Sequence, residues 1–427
     1  MDNIIQLFKK NFNWNIFFII LYIFLILGFF YNENSTGGAF QDYVNQKKIS
    51  QDFAINFKST LLNFDQYFTR HSPVLIMFLS IFEKSNLDDS LIRFIHLHLC
   101  LLLPIIFFLS LKIKYKFIKA ENLLLLVSLI FLSPAFRSLA IWPDSRLMGL
   151  TLFCFSIYFY LMFEENKKLK NCILNIIFCA MSAYVSPNFA VFSIFYFYKF
   201  FIFYKFNKNN LAIIMLLNLI LAIPAFYYLF ALDVNFLNKT AAVSVDQNAD
   251  VKYKYIFFLN IYNKILIISS IIFFYLLPFL ITKIISINKI FKLDKILISL
   301  VIFLISIFYF DYEYQFTGGG IFFKFSYFFF NNNILFFIIS FVAIFIILNL
   351  SNLKFENILL LILILLNNPQ ITIYHKYYDP FLLIMFFTLF NFNLNLSKAN
   401  TKINLFIINL FFISFLLTSN FKYLWNI

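Results

Sequence analysis

A chain of 427 residues that is 62% hydrophobic and only 13% charged, with a mean hydropathy of +0.84, is excluded from the soluble globular class. Its apolar runs approach the roughly 20 residues that a membrane span needs, and none of the intervals between them reads as a separate soluble domain. The net charge of +14 does not point to nucleic acid, because the excess sits in short links between apolar runs, at Lys112, Lys114, Lys116 and Lys119, at Lys167, Lys168 and Lys170, and at Lys283, Lys289, Lys292 and Lys295.

In chain order, Lys9 and Lys10 precede a first apolar run over 14–30. It is long for a signal peptide and lacks a small-x-small cleavage site, so it is expected to be an anchor with its N-terminal side in the cytoplasm. The longest polar interval, 31–73, follows as a first outer loop. In it Ile49, Phe53, Phe57 and Leu61 recur every four residues, the apolar stripe of a helix lying in the membrane surface. Ser72-Pro73 then suits a helix start, with Ser as cap and Pro in the first turn. The apolar stretch behind it, 74–82, is too short to cross and belongs at the interface.

Further spans are expected at 90–111, 121–140, 145–163, 171–186, 189–204, 211–231, 256–282, 296–310, 333–350, 357–367, 380–392 and 403–419, about thirteen in all with the first. The runs at 171–186 and 357–367 also suit re-entrant segments. The expected fold is thus all-α, a polytopic membrane protein with interfacial helices in its first outer loop. This topology puts nearly all the positive excess on one side, the pattern of cytoplasmic loops. The polar loops share the other side. Four cysteines, Cys100, Cys154, Cys172 and Cys179, fall inside apolar runs without disulfide or zinc spacing and read as packing residues.

Among the outer loops, Ser133–Leu150 crowds Arg137, Trp142, Asp144 and Arg146 between two spans. Pro143 and Asp144 suit a helix start, with both arginines reaching for the interface. Two arginines around a carboxylate also suit a lipid-anchored phosphate. Asp42 follows Gly37-Gly38 with no evident capping role, and is either a solvated loop acid or a reactive one. Asp52 and Asp65 read as polar-face residues, and Glu33 as interfacial. Arg70-His71 before the Ser72-Pro73 start puts positive charge where a helix N-terminus disfavours it. A local anion would explain that, as would plain solvation. His96 and His98, two apart, face different sides of a helix and suit buried structural roles. Near the end, Tyr377 and Tyr378 fit an interfacial aromatic belt and Asp379-Pro380 a helix start, while His375 and Lys376 have no clear structural reason. Gly318-Gly319-Gly320 lacks the ending of a phosphate-binding P-loop.

Together these features resemble the GT-C superfamily of membrane glycosyltransferases, which includes protein O-mannosyltransferases and bacterial enzymes that move sugars from polyprenyl phosphates onto lipid A and other envelope glycans. The resemblance is best over 14–231. It rests on Asp42 in GGAFQDY for the first-loop acid, RHSPVLIMFL for the interfacial helix start, Asp144 in WPDSRLMGL for the second acid, and HKYYDPFLL, with Lys376 in place of Arg, for the late basic motif. The chain departs from members with paired first-loop acids in offering a lone Asp42, and has His-Ser-Pro where His-Pro-Pro is usual. The resemblance implies a catalytic module at 1–231, a C-terminal transmembrane module at 232–427, and catalytic acids Asp42 and Asp144. It implies donor-phosphate contacts from Arg70, His71, Arg137, Arg146, Lys376 and Tyr378. Expected partners are a polyprenyl-phosphate sugar donor, an envelope acceptor and the bilayer, with no nucleic acid. No cofactor or metal is expected, although a divalent cation near Asp144 is compatible. The expected place is the bacterial cytoplasmic membrane, with the active face outside. The rivals are a polytopic transporter or lipid-linked-sugar flippase, whose charges and helix breaks tend to lie near mid-membrane, and an O-antigen polymerase or ligase.

Overall fold

The computed structural model describes residues 14–67, 69, 71–231, 261–285, 293–313, 318–368, 372–392 and 401–424. Among these residues the chain is helical, with no strand. Apolar sequence decides which segments fold this way, and short polar residues decide where they stop. Helix α1, Trp14–Phe30, is followed by α2, Ala39–Ile55. The surface-helix stripe expected from Ile49 to Leu61 is interrupted at Asn56, which ends α2 and accepts a hydrogen bond from Ser59 N (3.1 Å) to cap the short α3, Phe57–Leu62. Ile49 and Phe53 are buried while Phe57 is exposed. Helix α4, Pro73–Lys84, starts as expected, with Ser72 as cap and proline in the first turn.

Helices α5, Asp89–Cys100, and α6, Leu102–Lys114, run on as one apolar rod of 26 residues. Helix α7, Ala120–Phe131, is bent by 61° into α8, Pro134–Ile141. Proline at the start of α8 brings no N–H to continue α7, and Ser133 caps the new helix through Phe136 N (2.9 Å). Helix α9, Ser145–Asn166, is capped by Asp144. It is bound to α10, Leu169–Val185, by buried hydrogen bonds from Asn175 Nδ2 to Ser156 O and from Ser182 Oγ to Gly149 O, each 2.8 Å. Then come α11, Ser193–Tyr204, and α12, Lys208–Phe226. The later part holds α13, Ile261–Ile281; α14, Leu293–Phe308; α15, Gly320–Phe330; α16, Ile334–Ser351; α17, Phe355–Leu366; α18, Phe381–Thr388; and α19, Thr401–Leu424.

Among the described residues helices occur within all the expected spans, but thirteen membrane crossings are not confirmed. Among the described residues six helices are long and apolar enough to cross a membrane, or seven if the bent α7–α8 pair is one span. The runs at 171–186 and 357–367 fold as short helices, and 380–392 yields only the eight-residue α18, buried throughout. In α18 apolarity reflects burial in protein, which composition alone does not separate from burial in lipid.

One hydrophobic core runs from Leu21 to Phe412, so both halves of the chain share it. Polar ties join them too. Lys114 Nζ donates to Thr388 O and Phe390 O, both at 2.7 Å, and Ser128 Oγ is 2.6 Å from Asn409 Oδ1. Buried lone cysteines and a buried His96, bound to Ala140 O at 3.1 Å, agree with the packing roles expected of them. Helix α9, about 33 Å long at 1.5 Å per residue, separates two chemically different ends. Asp144 lies at its start, and Glu164, Glu165 and Lys167 lie at its finish, where Lys116 and Lys199 join them.

Candidate functional site

Four separate segments bring charge to the start of α9. Asp42 stands in the first turn of α2, not in the loop expected before it, and there the helix dipole favours a carboxylate. Asp144 caps α9, accepting from Arg146 N at 2.7 Å. His71 precedes α4, with Nδ1 3.0 Å from Ser145 Oγ. Lys376 lies in the short helical turn His375–Tyr377.

Arg146 ties these together. Its Nε donates to Asp144 Oδ1 at 3.1 Å, and its Nη2 donates to Asp144 Oδ2 at 3.0 Å and to Asp42 Oδ2 at 2.8 Å. The Tyr377 ring lies 4.8 Å from the guanidinium carbon, a cation–π distance. Lys376 Nζ donates to Asp42 Oδ2 at 3.2 Å. Gly38 leaves room for this approach, since a Cβ there would stand 3.2 Å from the same Nζ. Asp144 is fully buried, whereas the Asp42 side chain keeps 21% of its surface open. Of the two acids, only Asp42 is placed to meet an incoming molecule.

Burial pushes the Asp42 carboxyl up, but Arg146, Lys376 and His71 outweigh it and hold the group below its ordinary 3.8. The same balance, with Arg146 foremost among the charges, holds Asp144 far below that value. Lys376 is pulled below the usual lysine range by burial and by Arg146, against the two acids. The resting site is therefore a closed arrangement of two carboxylates and two cations.

Asp42, His71 and Asp144 place one ligand atom each within 4.8 Å of one another, a spacing that suits a divalent ion. The donor set fits poorly. Both Asp144 oxygens and one Asp42 oxygen are already engaged by Arg146, whose guanidinium stands where the ion's charge would be needed.

Two expected phosphate contacts fall elsewhere. Arg137 is not beside Asp144. Its Nε and Nη2 clasp Glu33, the latter at 2.5 Å, and Nη2 also donates to Phe24 O at 2.8 Å. Gly28 makes room for this pair, since a Cβ there would collide with Glu33 Oε2. Glu33 is thus a buried structural partner and not a surface acid, and its carbonyl accepts from Trp142 Nε1 at 3.0 Å. Tyr378 is buried, and its neighbour Tyr377 supplies the ring at the site. Arg70 lies outside the described residues. Gly38, Ser145 and Tyr377 were missed in the sequence, and only Tyr377, beside the unexplained Lys376, carried a local signal. Compared with known proteins, the chain matches no family model, no curated protein and no solved structure.

Proposed function

We propose that the protein is an inverting glycosyltransferase that moves a sugar from a polyprenyl-phosphate donor to an envelope lipid, glycan or protein at the outer face of the bacterial cytoplasmic membrane. The observation that carries this reading is Asp42, a partly open carboxylate clamped by Arg146 and Lys376, with an apolar cavity whose lining starts at Ser72, one residue beyond the site's His71. That cavity, of about 430 Å³, begins at Ser72 and Pro73, next to His71, and runs between α10, α11 and α12 past Ala183, Phe197 and Leu221. A charged pocket adjoining an apolar slot suits an amphiphile with an anionic head.

In this mechanism the donor phosphate takes over Arg146 and Lys376, which are the charges that keep Asp42 weakly basic. Freed of them, Asp42 accepts the proton of the acceptor hydroxyl. The acceptor oxygen bonds to the anomeric carbon, and the sugar–phosphate C–O bond breaks with its electrons on the phosphate. The two cations stabilise that developing charge. Asp144, buried and spent on Arg146, positions the guanidinium without meeting substrate. In this reading only Asp42 of the two expected catalytic acids meets substrate.

The test is mass spectrometry of envelope glycans from a deletion strain complemented with wild type or Asp42→Asn. Wild type should restore one missing sugar, and the variant, inserted normally, should transfer it about 10²–10⁴-fold more slowly. Wild-type transfer by Asp42→Asn would end the assignment. A complete lipid-linked precursor stranded on the inner leaflet would favour a flippase.

A further inference from the structure

On the other edge of Arg146 lies a second, much smaller space. Nε and Nη2 are spent on the acids, and in the planar guanidinium the Nη1 N–H on the Cδ side points away from them. Nη1 is buried and makes no hydrogen bond. A cavity of about 20 Å³ is lined there by Arg146, Ser186, Asn188, Asn367, Lys376 and Asp379. Two more of these residues bring buried polar atoms without a partner, Asn367 Oδ1 and Asp379 Oδ1. Asn367 is 3% exposed and Asp379 4%. One cationic donor and two acceptors around a space this small match one water molecule, which needs at least about 10–15 Å³ and two to four polar partners. A phosphate or a sugar does not fit.

We propose that this cavity is a single-water site through which Asp379 and Asn367, as positioning residues, hold the Arg146 guanidinium edge-on to Asp42. The water accepts from Nη1 and donates to Asn367 Oδ1 and Asp379 Oδ1. Asp379 is anchored in turn, because its Oδ2 accepts from Ala135 N at 3.0 Å in the first turn of α8. The late loop that carries Lys376 thereby sets the orientation of an arginine on α9. The water site stands on geometry alone, and the positioning role rests on the phosphate reading given above.

The experiment uses the full chain in lipid nanodiscs. A map fine enough to show ordered water should reveal one feature within hydrogen-bond reach of Arg146 Nη1, Asn367 Oδ1 and Asp379 Oδ1. Asn367→Leu, of similar volume but apolar, should lose the feature and bind a polyprenyl monophosphate probe about tenfold more weakly, as expected when a charged group loses a hydrogen bond. Asn367→Asp retains an acceptor oxygen and should keep the water feature. An empty wild-type site overturns the proposal, and so does unchanged probe affinity in Asn367→Leu. Should Asn367→Leu fail to fold, the wild-type map and Asn367→Asp still decide the water site. A visible water with no probe binding by any variant supports the water site and overturns the phosphate reading instead.

Discussion

Asp42 at rest is held in the state that a base needs, ionised, but at a proton affinity too low for a strong base. Burial alone would raise it; Arg146, Lys376 and His71 bring it below 3.8. If a phosphate draws two of those charges away, burial is left to dominate and the carboxyl rises. The sign is testable, because kcat/KM reports the free enzyme and kcat the substrate complex. The acid limb of the pH profile should lie at higher pH in kcat than in kcat/KM. Coincident limbs, measured with a saturating lipid-linked donor, would show that Asp42 does not exchange its partners. Lys376 belongs to the same balance. The sequence marked it as unexplained but gave no hint that Asp42, more than 300 positions earlier, was its partner, because nothing local relates the two.

At the scale of elements, capping was legible and pairing was not. Ser72-Pro73 and Asp144 begin helices in the structure as their chemistry implies. Helix α2 was misplaced because its start at Gly38 carries no capping side chain to mark it, and Asn56 cuts the stripe that was visible. Arg137 and Arg146 looked equivalent in the second outer loop. Only the fold sends Arg137 back to Glu33, where it fastens α8 to the end of α1. Both side chains of that pair are less than 10% exposed, and breaking a buried pair by removing one partner costs about 3–5 kcal/mol. Arg137→Ala should therefore lower Tm markedly and leave a charge stranded. Replacing both residues by leucine should recover most of the loss. In the fraction that stays folded, donor affinity should be unchanged. A selective loss of donor binding at unaltered Tm would return Arg137 to the phosphate site.

For the whole molecule, the relation that matters is the one between the two ends of α9. At one end Asp144 and Arg146 meet Asp42 and Lys376. At the other, Lys116 bridges Glu165 at 2.7 Å and Lys199 bridges Glu356 at 2.7 Å, amid the Lys-rich turns. A helix of about 33 Å matches the roughly 30 Å hydrocarbon layer, so if α9 crosses the bilayer the site and the lysines lie at opposite membrane faces. Lysine-rich turns favour the cytoplasm, and on that ground the orientation we propose has the site outside. The described cysteines are all buried, so single cysteines introduced at exposed positions report with little background. Asn45, on α2 near the site, and Lys168, beyond the far end of α9, are both exposed. Asn45→Cys should react with a membrane-impermeant maleimide in intact cells, and Lys168→Cys only after permeabilisation. Labelling of both from one side would mean that α9 does not cross the bilayer. The reverse pattern would put Asp42 in the cytoplasm, where an acceptor on the outer surface is out of reach.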